Sequence, residues 1–183
     1  MSTIIDLVGS TVAAGILILA VLGLTFNTTS TMVEQNLSTI AQSSALSIVE
    51  VFDYDFLKAG YRAPRPAILR ADSNAITFLS DFDRNGTVDT VKYTVSSASQ
   101  VPQTQNPGDR ILYRQVNNNP TTGGSLGVVD FKLTYYDSTG AVTTNAAKAK
   151  SFLVRLRVQS TFKIDTTYSQ AYWEKRYHPV NLQ

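Results

Sequence analysis

From Leu7 to Phe26 the chain reads LVGSTVAAGILILAVLGLTF, twenty residues without a charge. As a helix this run would rise roughly 30 Å, the thickness of a bilayer's hydrocarbon core. The helix of a soluble domain buries one stripe and carries charges on its outer face; this run has no charge to place there. It therefore calls for apolar surroundings on every side, supplied by a membrane or by other apolar helices. A cleaved secretory signal is the main competitor, but such a signal carries Lys or Arg ahead of a shorter apolar run. Here nothing basic precedes the run, and Asp6 sits at its edge.

Charge divides the chain at the same place. Residues 1–57 hold no Lys or Arg and five acids: Asp6, Glu34, Glu50, Asp53 and Asp55. The remainder holds all 16 basic residues against nine acids, so the two parts carry about −5 and +7. The absence of Cys excludes disulfides, thiolate metal sites and a Cys nucleophile. A single histidine, His178, leaves a His-rich metal site or a Ser-His-Asp triad hard to build. No phosphate loop, nucleophile elbow or paired catalytic constellation appears, and the chain reads as a non-enzyme.

Helical patterning continues past the apolar run. Residues 30–58 contain neither Gly nor Pro, and apolar residues recur at Val33, Leu37, Ile40, Ala41, Ala45, Ile48, Val49, Phe52 and Phe56. Steps of three and four predict an amphipathic helix. Thr28, Thr29 and Ser30 mark a junction that could loosen it, while Gly60 and the Pro64/Pro66 pair end it. After Pro66 the period becomes two. Residues 76–79, 91–95, 111–114, 131–135 and 152–158 read as strands, separated by turn signals at Asn85-Gly86, Pro107-Gly108, 117–124 and 138–140. An antiparallel sheet of about five strands cannot cover its own apolar face, and the amphipathic helix half is the cover at hand. The expected fold is α+β: an apolar helix half (1–27), an amphipathic helix half (28–60) and a β-rich head (61–183).

This layout resembles the type IV pilin and pseudopilin superfamily, whose mature chains begin with a motif like F-T-L-I-E-L-V. Here Ser2-Thr3-Ile4-Ile5-Asp6-Leu7-Val8 occupies that place. The resemblance puts Asp6 on the family's acidic fifth position, which pairs with the N-terminal amine of a neighbouring subunit. Physical chemistry agrees, because a carboxylate beside twenty apolar residues is costly unless paired. The chain departs from the family motif in lacking its first Phe, in having Asp for Glu, and in showing no basic leader ending in Gly. Either a leader lies outside this numbering, or removal of Met1 exposes the amine of Ser2 in the usual register. Asp6 and Ser2 are thus the assembly residues that the resemblance implies.

Asp81-Phe82-Asp83-Arg84-Asn85-Gly86-Thr87-Val88-Asp89 matches D-x-D-x-N-G-x-x-D, the front of an EF-hand-type calcium loop. Lys92 stands where the bidentate Glu should be, and the flanks read as strands, so a full EF-hand is rejected. A non-helical calcium loop on Asp81, Asp83, Asn85 and Asp89 stands against a plain hairpin whose Asn-Gly supplies positive φ angles; the hairpin is favoured. The Lys and Arg residues of the head are scattered along strands, as on the wet face of a half-buried sheet, and nucleic acid is not the expected partner. Tyr168, Tyr172, Trp173 and Tyr177 read as core or subunit contacts, and His178 as a surface residue.

The resemblance implies a structural subunit of a surface filament, held in the cytoplasmic membrane before assembly and self-associating through its helix, alone or with other pilin-like subunits. A minor pseudopilin of a secretion machine shares that architecture. A membrane-anchored module whose head binds calcium or another ligand is the alternative from a different class.

Overall fold

The computed structural model describes residues 2–101, 104–164 and 166–183. One α-helix, α1 (Ser2–Phe56), runs unbroken for 55 residues. The Thr28–Ser30 junction does not interrupt it. Its threonines satisfy their hydroxyls on the preceding helical turn: Thr25 on the Val21 carbonyl, Thr28 on Leu24, Thr29 on Thr25 and Thr31 on Asn27, at 2.8–3.0 Å. Such back-bonding lets a hydroxyl sit on a helix without asking for water.

The chain divides into two compact units, Met1–Leu37 and Ser38–Gln183. In the first, the apolar residues of α1 are exposed around the whole circumference, from Ile4 (68% exposed) to Phe26 (72%). In the second, one stripe of α1 is buried: Ala41, Ala45, Ile48, Val49, Phe52 and Phe56. The expected stripe is longer than the observed one, since Val33 and Ile40 stay largely exposed.

The rest of the second unit is a sheet of eight strands, three more than the sequence pattern predicts. They are β1 (Ile68–Asp72), β2 (Ala75–Ser80), β3 (Asp89–Val95), β4 (Arg110–Val116), β5 (Thr122–Tyr136), β6 (Val142–Thr143), β7 (Ser151–Ile164) and β8 (Thr167–Tyr177). The order is β1-β2-β3-β4-β5-β7-β8, with β6 pairing on β5. Every pairing is antiparallel. The strands that the pattern misses are β1, β6 and β8. In β8, Trp173 and Tyr177 alternate with Tyr172, Glu174 and Arg176, and charges interleaved with aromatics hide the period of two.

Strand β5 is long enough to pair with β4 early and with β7 late. It bends at Gly127, whose φ is +75° and whose Cβ, were there one, would lie 2.3 Å from the Gln159 carbonyl oxygen; only glycine fits both demands. The sheet curls until the β1–β2 turn reaches β5. The Leu133 amide donates to the Ser73 carbonyl at 2.8 Å, and the Tyr135 hydroxyl donates to the Ala75 carbonyl at 2.9 Å.

Inside the curl, Val91 and Tyr93 of β3, Phe131 and Leu133 of β5, and Phe152, Val154, Leu156 and Val158 of β7 close on the helix stripe. Phe56 is the hub. Its ring centroid lies 4.9–5.2 Å from those of Phe52, Tyr93, Phe152 and Tyr177. Burial of one such side chain contributes roughly 1.5–3 kcal/mol, and the edge-on contacts add to it. The helix and the sheet therefore need each other: neither buries its apolar face alone.

Candidate functional site

The assembly residues lie at the start of α1. Asp6 is exposed on the helix, one residue before the uncharged run, flanked by Ile5 (69% exposed) and Leu7 (65%). Met1 and the side chain of Ser2 lie outside the described residues, so the geometry of that half of the expected contact is not given. Ser10 and Thr11 turn their hydroxyls onto the Leu7 and Val8 carbonyls, each at 2.9 Å. Among the described residues, Asp6 thus remains the one polar group of this region whose charge asks for a partner. Gly9, Gly15 and Gly23 have open space where a Cβ would stand; small residues at such points let a second helix approach closely. The helix is long and apolar enough to cross a membrane.

The calcium-loop residues are bonded within the protein at every carboxylate, although Asp81 Oδ1 is buried and has no partner among the described residues. Asp81, buried, pairs through Oδ2 with Arg62 Nη1 at 3.3 Å. Asp89, also buried, accepts from the Phe82 amide at 3.1 Å and from Asn117 Nδ2 at 2.6 Å. Asp83 accepts from the Asn85 amide at 3.1 Å and from Asn85 Nδ2 at 2.9 Å, while Asn85 Oδ1 accepts from the Thr87 amide at 2.7 Å. Among the described residues, no group of three or more His, Cys, Asp or Glu is arranged to hold a metal ion. The segment is a β2–β3 turn, yet its positive φ angles fall on Arg84 (+62°) and Gly86 (+87°) rather than on Asn85-Gly86. The cause is the Asn85 side chain, whose bond to Thr87 fixes Asn85 in an Asx turn.

A second polar centre escapes the sequence pattern. Asp55 of α1 is fully buried. It receives Arg114 of β4 in a two-pronged ion pair, Nε to Oδ2 at 2.6 Å and Nη2 to Oδ1 at 3.1 Å. The hydroxyl of Tyr93 on β3 donates to the same carboxylate. The hydrogen bond from Arg114 to Asp55 raises the guanidinium's pKa further above its ordinary value. Burial, and after it the charge of Asp55, holds the Tyr93 phenol far above the usual range. Two residues earlier, on the other flank of the stripe, Asp53 receives Lys175 Nζ at 2.7 Å and the Tyr177 hydroxyl at 2.6 Å. Two of the five acids of the N-terminal segment are therefore fastenings between α1 and the sheet. The only hint in the sequence is their place between Phe52 and Phe56, where they flank the buried stripe on either side.

An α+β chain with one long, partly apolar helix and an antiparallel sheet is compatible with pilin-like architecture. No family model, curated protein or solved structure matches the chain.

Proposed function

We propose that this chain is a structural subunit of a type IV pilus-like extracellular filament, assembled through its N-terminal helix. One observation carries the reading: α1 is continuous from a half whose apolar residues are exposed, with no charge from Leu7 to Phe26, into a half locked to the sheet by Phe52, Phe56 and Asp55. The apolar half rests in a membrane before assembly and among neighbouring helices after it, where burial of its surface drives packing at roughly 25 cal/mol per Å². Asp6 pairs with the amine of a neighbour, because the first 57 residues offer no other cation. Head-to-tail contacts of this kind, where their rotation does not close, propagate as a helical filament.

The test is electron microscopy of material sheared from producing cells, with mass spectrometry of its protein. Regular filaments made mainly of this chain support the proposal. Retention of the chain in the membrane fraction, with no filament, overturns it in favour of an anchored module; traces in a mixed assembly point to a minor pseudopilin.

A further inference from the structure

At one end of the sheet the β5–β6 turn, the start of β7, and the end of β8 with the residues after it line an open pocket of about 540 Å³, within the ~300–1,000 Å³ of small-molecule sites. We infer that this pocket binds an acidic sugar, a pyranose bearing a carboxylate, with Arg176 taking the carboxylate and Asp137 taking ring hydroxyls. The inference rests on the head alone and does not depend on the filament reading.

Arg176 is held as a receptor for a planar anion would be. Its Nε and Nη2 both donate to Ser151 Oγ, at 3.3 and 3.0 Å. Its guanidinium lies 3.9 Å from the Tyr136 ring centroid. Bonded along one edge and stacked on one face, it keeps Nη1 without a partner among the described residues. A fixed fork is suited to a carboxylate and loses little entropy on binding one. Lys150, tied to the Leu182 carbonyl at 2.6 Å, brings a second positive charge to the wall. His178 lines the same pocket and has no partner among the described residues.

Asp137 decides what kind of anion fits. Its Oδ1 is taken up by the Thr139 amide and hydroxyl, at 2.9 and 2.7 Å, and by the Ala141 amide at 3.1 Å. Those bonds, the Thr139 hydroxyl first, hold the carboxyl below its ordinary pKa, so it is ionised at neutral pH. Its Oδ2 remains an unused acceptor among the described residues. A bare phosphate would meet this carboxylate with charge against charge. A sugar acid meets it with hydroxyl donors while its own carboxylate sits on Arg176. Ser138, Thr139 and Gly140 complete a polar wall of the kind that accepts further hydroxyls.

The experiment is saturation-transfer NMR and calorimetry on the full chain in detergent micelles, with glucuronate, glucose, acetate and inorganic phosphate as the probes. Glucuronate is expected to bind at least about tenfold more tightly than each of the other three. Arg176→Gln is expected to weaken glucuronate binding about tenfold or more. Asp137→Asn, nearly equal in shape, is expected to weaken glucuronate while leaving acetate unchanged or improved. Absence of glucuronate binding overturns the inference. Phosphate or acetate binding as tightly as glucuronate overturns it too, as does glucuronate binding that survives both substitutions. An unchanged circular dichroism spectrum shows that each variant is folded.

Discussion

Arg114 grips Asp55 across 59 residues of sequence, through two hydrogen bonds of 2.6 and 3.1 Å, and the carboxylate it grips has no exposure to solvent. The pair ties the last turns of α1 to β4. A buried carboxylate is tolerated only while it is paired, so the position of Arg114 on the sheet is fixed by that of Asp55 on the helix.

Arg114→Met leaves Asp55 and Tyr93 facing one another with no cation. The expected loss is roughly 3–5 kcal/mol, read by chemical denaturation of the full chain in micelles. Adding Asp55→Asn removes the stranded charge and keeps an acceptor for Tyr93. The double variant is expected to be more stable than Arg114→Met alone. A double variant that is still less stable would show that the charge was not the source of the loss.

Tyr93, Tyr135 and Tyr177 share a pH signature. Burial is the main cause at each, and it pushes all three phenols well above their ordinary pKa, with carboxylates nearby adding to the effect. An unfolded phenol ionises near ~10. Above that pH the unfolded chain sheds protons that the folded chain keeps, so stability falls as pH rises. The expected profile is flat with respect to these groups up to about pH 10 and then declines. The phenolate absorbance of these residues should appear together with unfolding. Ionisation of all nine tyrosines while the head stays folded would contradict it.

Asp109 works in the opposite pH range. It is buried, its Oδ1 has no partner among the described residues, and burial raises its pKa. The folded state then favours the neutral acid, so its stabilising effect is present below the ordinary carboxylate pKa and is lost as pH rises through the raised value. Asp109→Asn is expected to stabilise the chain at neutral pH, with the gain shrinking in acid. Denaturant titrations at pH 4 and pH 7 measure the difference. A gain that is the same at both pH values would rule out the titration of Asp109 as its source.

Asp6→Ala separates assembly from folding. Asp6 lies in the first compact unit, and the buried core belongs to the second. Filament yield from producing cells is expected to fall at least about tenfold, with the thermal unfolding of the head unchanged. Normal yield would show that Asp6 plays no part in assembly; a lowered melting temperature would show that it acts through folding instead.

How far the fold was legible differs from element to element. The period-two runs at 76–79, 91–95, 111–114, 131–135 and 152–158 all lie in strands; in all but 111–114, whose residues are evenly half-buried, one face is turned further inward than the other. β8 was hidden by its edge position, where Tyr172 is 62% exposed and charges alternate with aromatics. β1 buries only Ile68 and so shows no alternation, and β6 is two residues long, too short for a period to show. The calcium-like spacing at 81–89 was visible as a string of oxygens. Which partner each oxygen takes was not visible, because Arg62 and Asn117 come from elsewhere in the chain. The Arg176 pocket left no mark in the sequence, since its walls come from the β5–β6 turn, the start of β7 and the end of β8 with the residues after it.

The sequence by itself determined the long helix, its change from all-round apolar to one-sided, and the antiparallel character of the strands after it. These are local properties: each comes from the spacing of apolar residues along a few turns or a few strand residues. Tertiary structure alone decided the strand order, the fastening of Asp55 by Arg114, and the placing of Arg176 and Asp137 on the walls of one pocket. Asp55 and Arg114 lie 59 positions apart in the sequence, and the pocket's walls are as scattered along it. Local periodicity carries no record of that choice, because many chain paths bury the same stripes and only the packed core selects among them.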